Sequence, residues 1–158
     1  MISRPGWPCV SCQAVREHFA KSDAAAFASV SDYCRKKGIA NYAARHSNGH
    51  SYYGRGYVQL THAENYRKMG KHLGVGSLYY DQPDLVMEAK TAAVILLEGM
   101  LHGLFRPSKG NLLDYFNAKA ARWYDARELI NGDKDYKPPW AKGPSHGTII
   151  GGYGKAFL

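Results

Sequence analysis

No apolar stretch in this chain is long enough to cross a bilayer, which takes about 18 to 20 residues. The best run, Ala92 to Leu97, is interrupted by Glu98, so no membrane span is expected. The first residues, Met1-Ile2-Ser3-Arg4-Pro5-Gly6-Trp7-Pro8, lack the apolar centre of a signal peptide. The chain is therefore expected to be cytoplasmic as synthesised, and any export would need help from elsewhere, such as a dedicated secretion machine. Cysteine is sparse. The three thiols, Cys9, Cys12 and Cys34, leave at least one unpaired in a monomer, which excludes a fully paired disulfide scaffold. Cys9-Val10-Ser11-Cys12 has C-x-x-C spacing and could join Cys34 and His18 around zinc, or form a reactive pair. Thiols with no special role account for the same residues, and neither a metal site nor a cofactor is expected. Carboxylates are missing from one long stretch, since no Asp or Glu occurs from Gly38 through Ala63.

What is present fits a single domain. A chain of 158 residues can bury roughly 68–70% of its unfolded surface in one core. Against 13 acidic residues stand 21 Lys and Arg, a net charge of +8, which implies an anionic partner or surface. The basic residues are scattered and no helix-turn-helix, zinc-finger or RRM motif appears, so nucleic acid is not the expected partner. A phosphate- and carboxylate-bearing cell wall would be attracted by the same field, and a solvated basic surface has the same composition. A monomer is expected.

Residues 1–10 should be an irregular lead-in, followed by a short helix from Ser11 through Ala20. Asp23 can cap a helix over Ala24–Lys37, with Phe27, Val30, Tyr33 and Cys34 as its apolar stripe and Gly38 as its stop. The segment Ile39–Ser51 is polar, and Arg45–His50 reads as an exposed loop. Its two histidines are accounted for by solvent. A helix from Glu88 to about His102 carries a broad apolar band and ends at Gly103. Leu112–Phe116 reads as a short helix and Ala120–Ile130 as a longer one closed by a left-handed Asn131-Gly132 pair. After a loop over Asp133–Gly147, Thr148–Phe157 reads as a glycine-interrupted final helix.

The most specific stretch is Tyr52-Tyr53-Gly54-Arg55-Gly56-Tyr57-Val58-Gln59-Leu60-Thr61-His62-Ala63-Glu64-Asn65-Tyr66. Two glycines around an arginine call for a tight turn or a close backbone approach. The alternation of Val58 and Leu60 with Tyr57, Gln59 and Thr61 predicts a short strand, and Thr61 can cap a helix carrying Tyr66, Met69 and Leu73. Arg55 would pin the turn, its fork bonding carbonyls or a carboxylate such as Glu98. Tyrosine faces, an amide and hydroxyls in one place suit a polyhydroxylated ring, which must be both stacked and hydrogen-bonded. The same tyrosines could equally complete a core.

The order Tyr-Tyr-Gly-Arg-Gly-Tyr-Val-Gln-Leu-Thr, with Asn65-Tyr66 behind it, resembles the substrate-cleft signature of glycoside hydrolase family 19, the chitinases and related phage and bacterial endolysins. Gly74-Val75, Gln82-Pro83-Asp84-Leu85, Ala89–Leu101 and Asp125–Gly132 continue the likeness, which covers roughly Tyr52–Leu158 and leaves residues 1–50 atypical. The resemblance implies a mainly α, lysozyme-like domain with at most a small β-hairpin near residues 52–61. It implies a partner of peptidoglycan or chitin type, hydrolysed at β-1,4 bonds with inversion.

Inversion needs one carboxylic acid to protonate the leaving oxygen and a second carboxylate, about 6.5–9.5 Å away, to activate water. The family's acid lies in a His-Glu-Thr that this chain lacks. Val15-Arg16-Glu17-His18 loosely echoes it, making Glu17 the candidate acid and Asp32 the candidate base, while Glu17 also reads as an exposed helix charge. By the same resemblance Thr61 holds the attacking water. Tyr53, Tyr57, Gln59, Asn65 and Tyr66 contact the sugar, and Arg127 with Asn131 closes the far wall. Glu64 is a rival for a catalytic role, although the first turn of a helix accounts for its charge. The alternative is a catalytically silent or truncated relative that binds glycan.

Overall fold

The structure, a computed structural model, describes residues 22–137 and 143–156. The helix expected over Ser11–Ala20, together with Cys9, Cys12, Glu17 and His18, lies outside the described residues. The chain divides into two compact units, Met1–Ile95 and Leu96–Leu158, the division falling within one helix.

In the first unit, α1 spans Asp23–Lys37. Its N-cap is Ser22, whose hydroxyl accepts from the Ala25 N–H at 3.2 Å, so the expected cap at Asp23 moves back by one residue and Asp23 becomes the first helical position. Gly38, at φ 66°, ends the helix as expected, its N–H donating to the Arg35 carbonyl. Ala26, Val30 and Cys34 are buried with Ala43 and Tyr53, and Tyr33 and Tyr42 pack against them. Phe27, assigned to that stripe from its spacing, is 45% exposed: it sits one position round the helix from Ala26, which takes the inward place. Burying a side chain the size of Val30 stabilises by about 1.5–3 kcal/mol.

Beyond the loop, Arg55 and Leu60 pair in a single antiparallel bridge, with Leu60 N–H donating to the Arg55 carbonyl at 2.8 Å. Residues 56–59 form the turn between them. The expected strand over Tyr57–Thr61 therefore does not form, because Gly56 (φ 69°) and Gln59 (φ 54°) hold left-handed backbone that an extended strand cannot contain. At Gly56 a side chain is excluded twice over: by its φ, and by the Val86 carbonyl, which would lie 2.6 Å from a β-carbon there.

Helix α2 (Ala63–His72) follows, with Ala63, Tyr66, Met69 and Gly70 buried. Its N-cap is His62 at φ 70° and ψ 133°, with no side-chain cap bond. Thr61 does not cap it, since its hydroxyl donates instead to the Gln59 carbonyl at 2.8 Å. A one-turn helix α3 (Leu78–Asp81), a 3-10 turn (Pro83–Met87) and α4 (Ala89–Leu101) complete the run, α4 agreeing with the helix read from the sequence. Gly103, at φ 63°, follows its end.

The second unit holds α5 (Leu112–Tyr115), a two-stranded antiparallel sheet of β1 (Phe116–Asn117) and β2 (Ala120–Ala121), a 3-10 turn (Asp125–Leu129) and α6 (His146–Lys155). Asn111 caps α5 and its own N–H donates in return to the Asp114 carboxylate, while Ser145 caps α6. The longer helix expected over Ala120–Ile130 is replaced by β2 and the 3-10 turn. Asn131-Gly132 is not left-handed; Asn131 instead accepts the Gly132 N–H through its own side chain at 3.1 Å. Tyr115, Ala126 and Leu129 form the core, with Met100, Leu112 and Phe116 packed against it. Six α-helices and one two-stranded sheet among the described residues make the fold mainly α and lysozyme-like, with the sheet at 116–121 rather than at 52–61.

Candidate functional site

The centre of the first unit is Arg55, whose side chain is 1% exposed. A guanidinium removed from water costs several kcal/mol unless its donors are satisfied. Here Nε donates to Asp84 Oδ1 at 2.9 Å, Nη2 to Asp23 Oδ1 at 3.1 Å and Nη1 to the Ser51 carbonyl at 2.7 Å. The guanidinium also lies 3.7 Å from the centre of the Tyr53 ring. Arg55 therefore pins the turn as its sequence setting suggested, with Asp23 and Asp84, not Glu98, as its carboxylates. Tyr66 completes the arrangement: its hydroxyl donates to the Tyr53 carbonyl at 2.9 Å and accepts from Arg55 Nη1 at 3.3 Å. Burial pushes the Tyr66 hydroxyl far above the usual tyrosine range, and burial also raises Tyr53, so both stay neutral.

Around this inner frame the turn presents its polar edge. Gln59 Nε2 donates to the Gly56 carbonyl at 3.2 Å, while its Oε1 is buried with no hydrogen-bond partner. An unpaired buried acceptor is costly and marks a position where a donor is wanted. Two left-handed non-glycine residues, Gln59 at the end of the turn and His62 at the cap of α2, lie three positions apart, each costing on the order of 1–3 kcal/mol. Strain and an orphaned acceptor coincide on one short segment. Thr61 is half-buried, Asn65 is exposed with its amide donating to the Thr61 carbonyl at 2.7 Å, and Tyr57 is 59% exposed.

Beside this edge an open groove of about 430 Å³ is bounded by Asn41, Tyr42, Ala44, Arg45 and His46 on the loop and by His62, Ala63, Glu64 and Arg67 at the start of α2. The Tyr42 and His62 rings meet edge to face at 5.7 Å, and His46 meets Tyr52 in the same way at 4.9 Å. The groove thus combines ring faces, amides and charged donors, the set a saccharide requires.

The residues read from the sequence do not fall in one place. Tyr53 and Tyr66 are buried in the Arg55 frame, Tyr57, Gln59, Thr61 and Asn65 lie along the turn and the start of α2, and Glu17 is outside the described residues. Asp32 sits half-exposed on α1, 2.6 Å from both Arg35 and Lys36; the hydrogen bond from Lys36, then that from Arg35, holds its carboxyl below the usual range. Arg127 and Asn131 belong to the second unit, where both bind Asp133. Arg127 does so through two bonds at 2.7 and 3.0 Å, Asn131 at 3.2 Å, and His146 Nδ1 lies 2.8 Å from the same carboxylate. Burial would raise the Asp133 carboxyl, but Arg127 and His146 outweigh it and hold it low. The groove residues Tyr42, Arg45, His46 and Arg67 escaped the sequence reading. Their signal was present in the density of rings and donors over 41–46, and it read as solvated loop.

The sequence model of glycoside hydrolase family 19, chitinase class I, matches residues 13–106, well over half of the chain. Over 35 residues the chain is 54% identical to an acidic 26 kDa endochitinase of Solanum lycopersicum and, over the same length, to the acidic endochitinase pcht28 of Solanum chilense. Each match covers 22% of this chain and 14% of the relative. No solved structure matches the chain significantly. The family match spans the pinned turn, the strained Gln59–His62 segment and the groove beside them, and the chain belongs to glycoside hydrolase family 19.

Proposed function

We propose that the chain is a glycoside hydrolase cleaving β-1,4 bonds between N-acetylated amino sugars, with peptidoglycan as its substrate ahead of chitin, in the manner of an endolysin. The single observation that carries this reading is the Gln59–Asn65 edge, with its strained backbone and unpartnered Gln59 Oε1, set beside an open ring-lined groove inside the family match. In this reading Gln59, Asn65 and Tyr57 bind sugar, Thr61 orients the attacking water, Glu17 protonates the leaving oxygen and Asp32 serves as base. Tyr53 and Tyr66 hold the edge in place from behind. Synthesis in the cytoplasm and release onto the wall belong to the same proposal.

A second reading has its own support. Carboxylates are absent from Gly38 through Ala63, and Asp32 is already held by two cations of its own helix, which leaves it a weak proton acceptor. A chain without a working carboxylate pair would bind glycan and leave it intact. Turbidity of outer-membrane-permeabilised cells separates the two. Lysis that is abolished by Glu17→Gln supports the hydrolase, whereas retention on purified sacculi without any loss of turbidity supports the binder.

A further inference from the structure

Arg55 displays how this chain treats a guanidinium that serves its own fold: buried, with two carboxylates and a carbonyl on its donors. Arg45 and Arg67 are the reverse. Both are exposed on the wall of the groove, and among the described residues neither has a carboxylate within ion-pair distance. The Arg67 side chain and the Arg45 backbone are nevertheless held in position. The Arg67 guanidinium lies 3.6 Å from the centre of the Tyr80 ring, and the Arg45 backbone is bridged to Ser51. One guanidinium set over a ring and a second on a bridged backbone, with no carboxylate on either among the described residues and an open groove before them, form a receptor for an oxyanion.

We propose that this groove is a subsite for a carboxylate carried on the glycan chain. The Arg45 and Arg67 forks take the oxyanion, and the Tyr42 and His62 rings take the sugar ring that bears it. Glu64 is the acidic residue lining the same groove, and it limits the site to a single anionic group by repelling further negative charge. The inference rests on the glycan reading above and sharpens it: a neutral polymer leaves both arginines unused, and an acid-bearing one does not.

Calorimetric titration of the full chain with two probes tests the proposal. One is the neutral hexamer of N-acetylglucosamine; the other is a peptide-free strand alternating N-acetylglucosamine with N-acetylmuramic acid, whose lactyl group supplies the carboxylate. The acid-bearing strand should bind about tenfold more tightly, as charge-assisted hydrogen bonds allow. Arg45→Gln and Arg67→Gln should each remove most of that preference, weakening the acid-bearing strand several-fold more than the neutral hexamer. Arg67→Lys should retain part of it, and Glu64→Gln should increase it. Lys71→Gln, the same charge change on α2 outside the groove, should alter nothing. Equal affinity for the two probes, or a preference that survives both arginine substitutions, overturns the subsite. Displacement of the acid-bearing strand by an equal concentration of inorganic phosphate overturns its assignment to a glycan and leaves a bare anion trap. Failure to bind either probe removes the glycan reading and this inference with it, whereas binding without preference removes the inference alone.

Discussion

Each unit of the chain is tied together by a charged node, and the two nodes are built in opposite senses. In the first, a cation, Arg55, is 1% exposed and is surrounded by Asp23, Asp84, a carbonyl and two tyrosines. In the second, a carboxylate, Asp133, is 22% exposed and gathers Arg127, Asn131 and His146. Water reaches the carboxylate at the centre of the second node and hardly reaches the guanidinium at the centre of the first. A charge that water cannot rescue must keep its partners, so the first node fixes its turn rigidly enough to hold strained backbone, whereas the second is a clamp that salt and acid can loosen.

The sharpest way to break this contrast is Arg55→Leu. It should destabilise the chain by about 3–5 kcal/mol, because the tyrosine hydroxyl and the Ser51 carbonyl lose their donor inside the core. Urea unfolding at pH 7 measures it, and a loss below about 1 kcal/mol would reduce Arg55 to the rank of an ordinary surface ion pair. Asp133→Asn should cost less, about 1–2 kcal/mol, and should differ in its pH dependence. The Asp133 carboxyl is held below its ordinary value, so its contribution is complete above about pH 4 and disappears as pH falls through the lower folded value. Protection of the α6 amides, measured relative to their intrinsic exchange at each pH, should therefore fall on acidification in the native chain more steeply than in Asp133→Asn. Identical acid profiles would remove the clamp.

His62→Gly should move stability the other way. Relief of the left-handed backbone should stabilise by about 1 kcal/mol net of glycine's greater unfolded-state entropy, while loss of the ring against Tyr42 should weaken glycan binding. A variant that is both more stable and fully binding would show that the strain serves nothing. The smallest effect belongs to Asp84→Asn. Its carboxylate is 84% exposed although it meets the buried Arg55, and its removal should cost less than about 1 kcal/mol in the same urea experiment.

What could be read in advance follows the reach of the forces involved. Helix α4 was legible because its apolar band is local, and Gly38 and Gly103 were legible as stops because left-handed backbone after a helix has one cheap residue. The cap at Ser22 was missed because Asp23 satisfies the same propensity one step later. Its actual partner, Arg55, lies 32 positions away, beyond any local pattern. The expected strand at 57–61 failed for a related reason: alternation of Val58 and Leu60 describes a bridge closed by a left-handed turn as well as it describes a strand, and no propensity places Gln59 in that backbone. The polar edge of the candidate site was legible residue by residue. The facing wall at 41–46 was not, since only the chain's return to the start of α2 distinguishes it from solvated loop.

The central claim is that the polar edge behind Arg55 and the groove beside it receive a sugar chain. Backbone amide NMR of the full chain, titrated with the N-acetylglucosamine hexamer, tests it most directly. Shifts should concentrate on residues 41–46 and 57–67, with those of Gln59, His62 and Asn65 among the largest. Saturating hexamer that leaves both segments unmoved would contradict it.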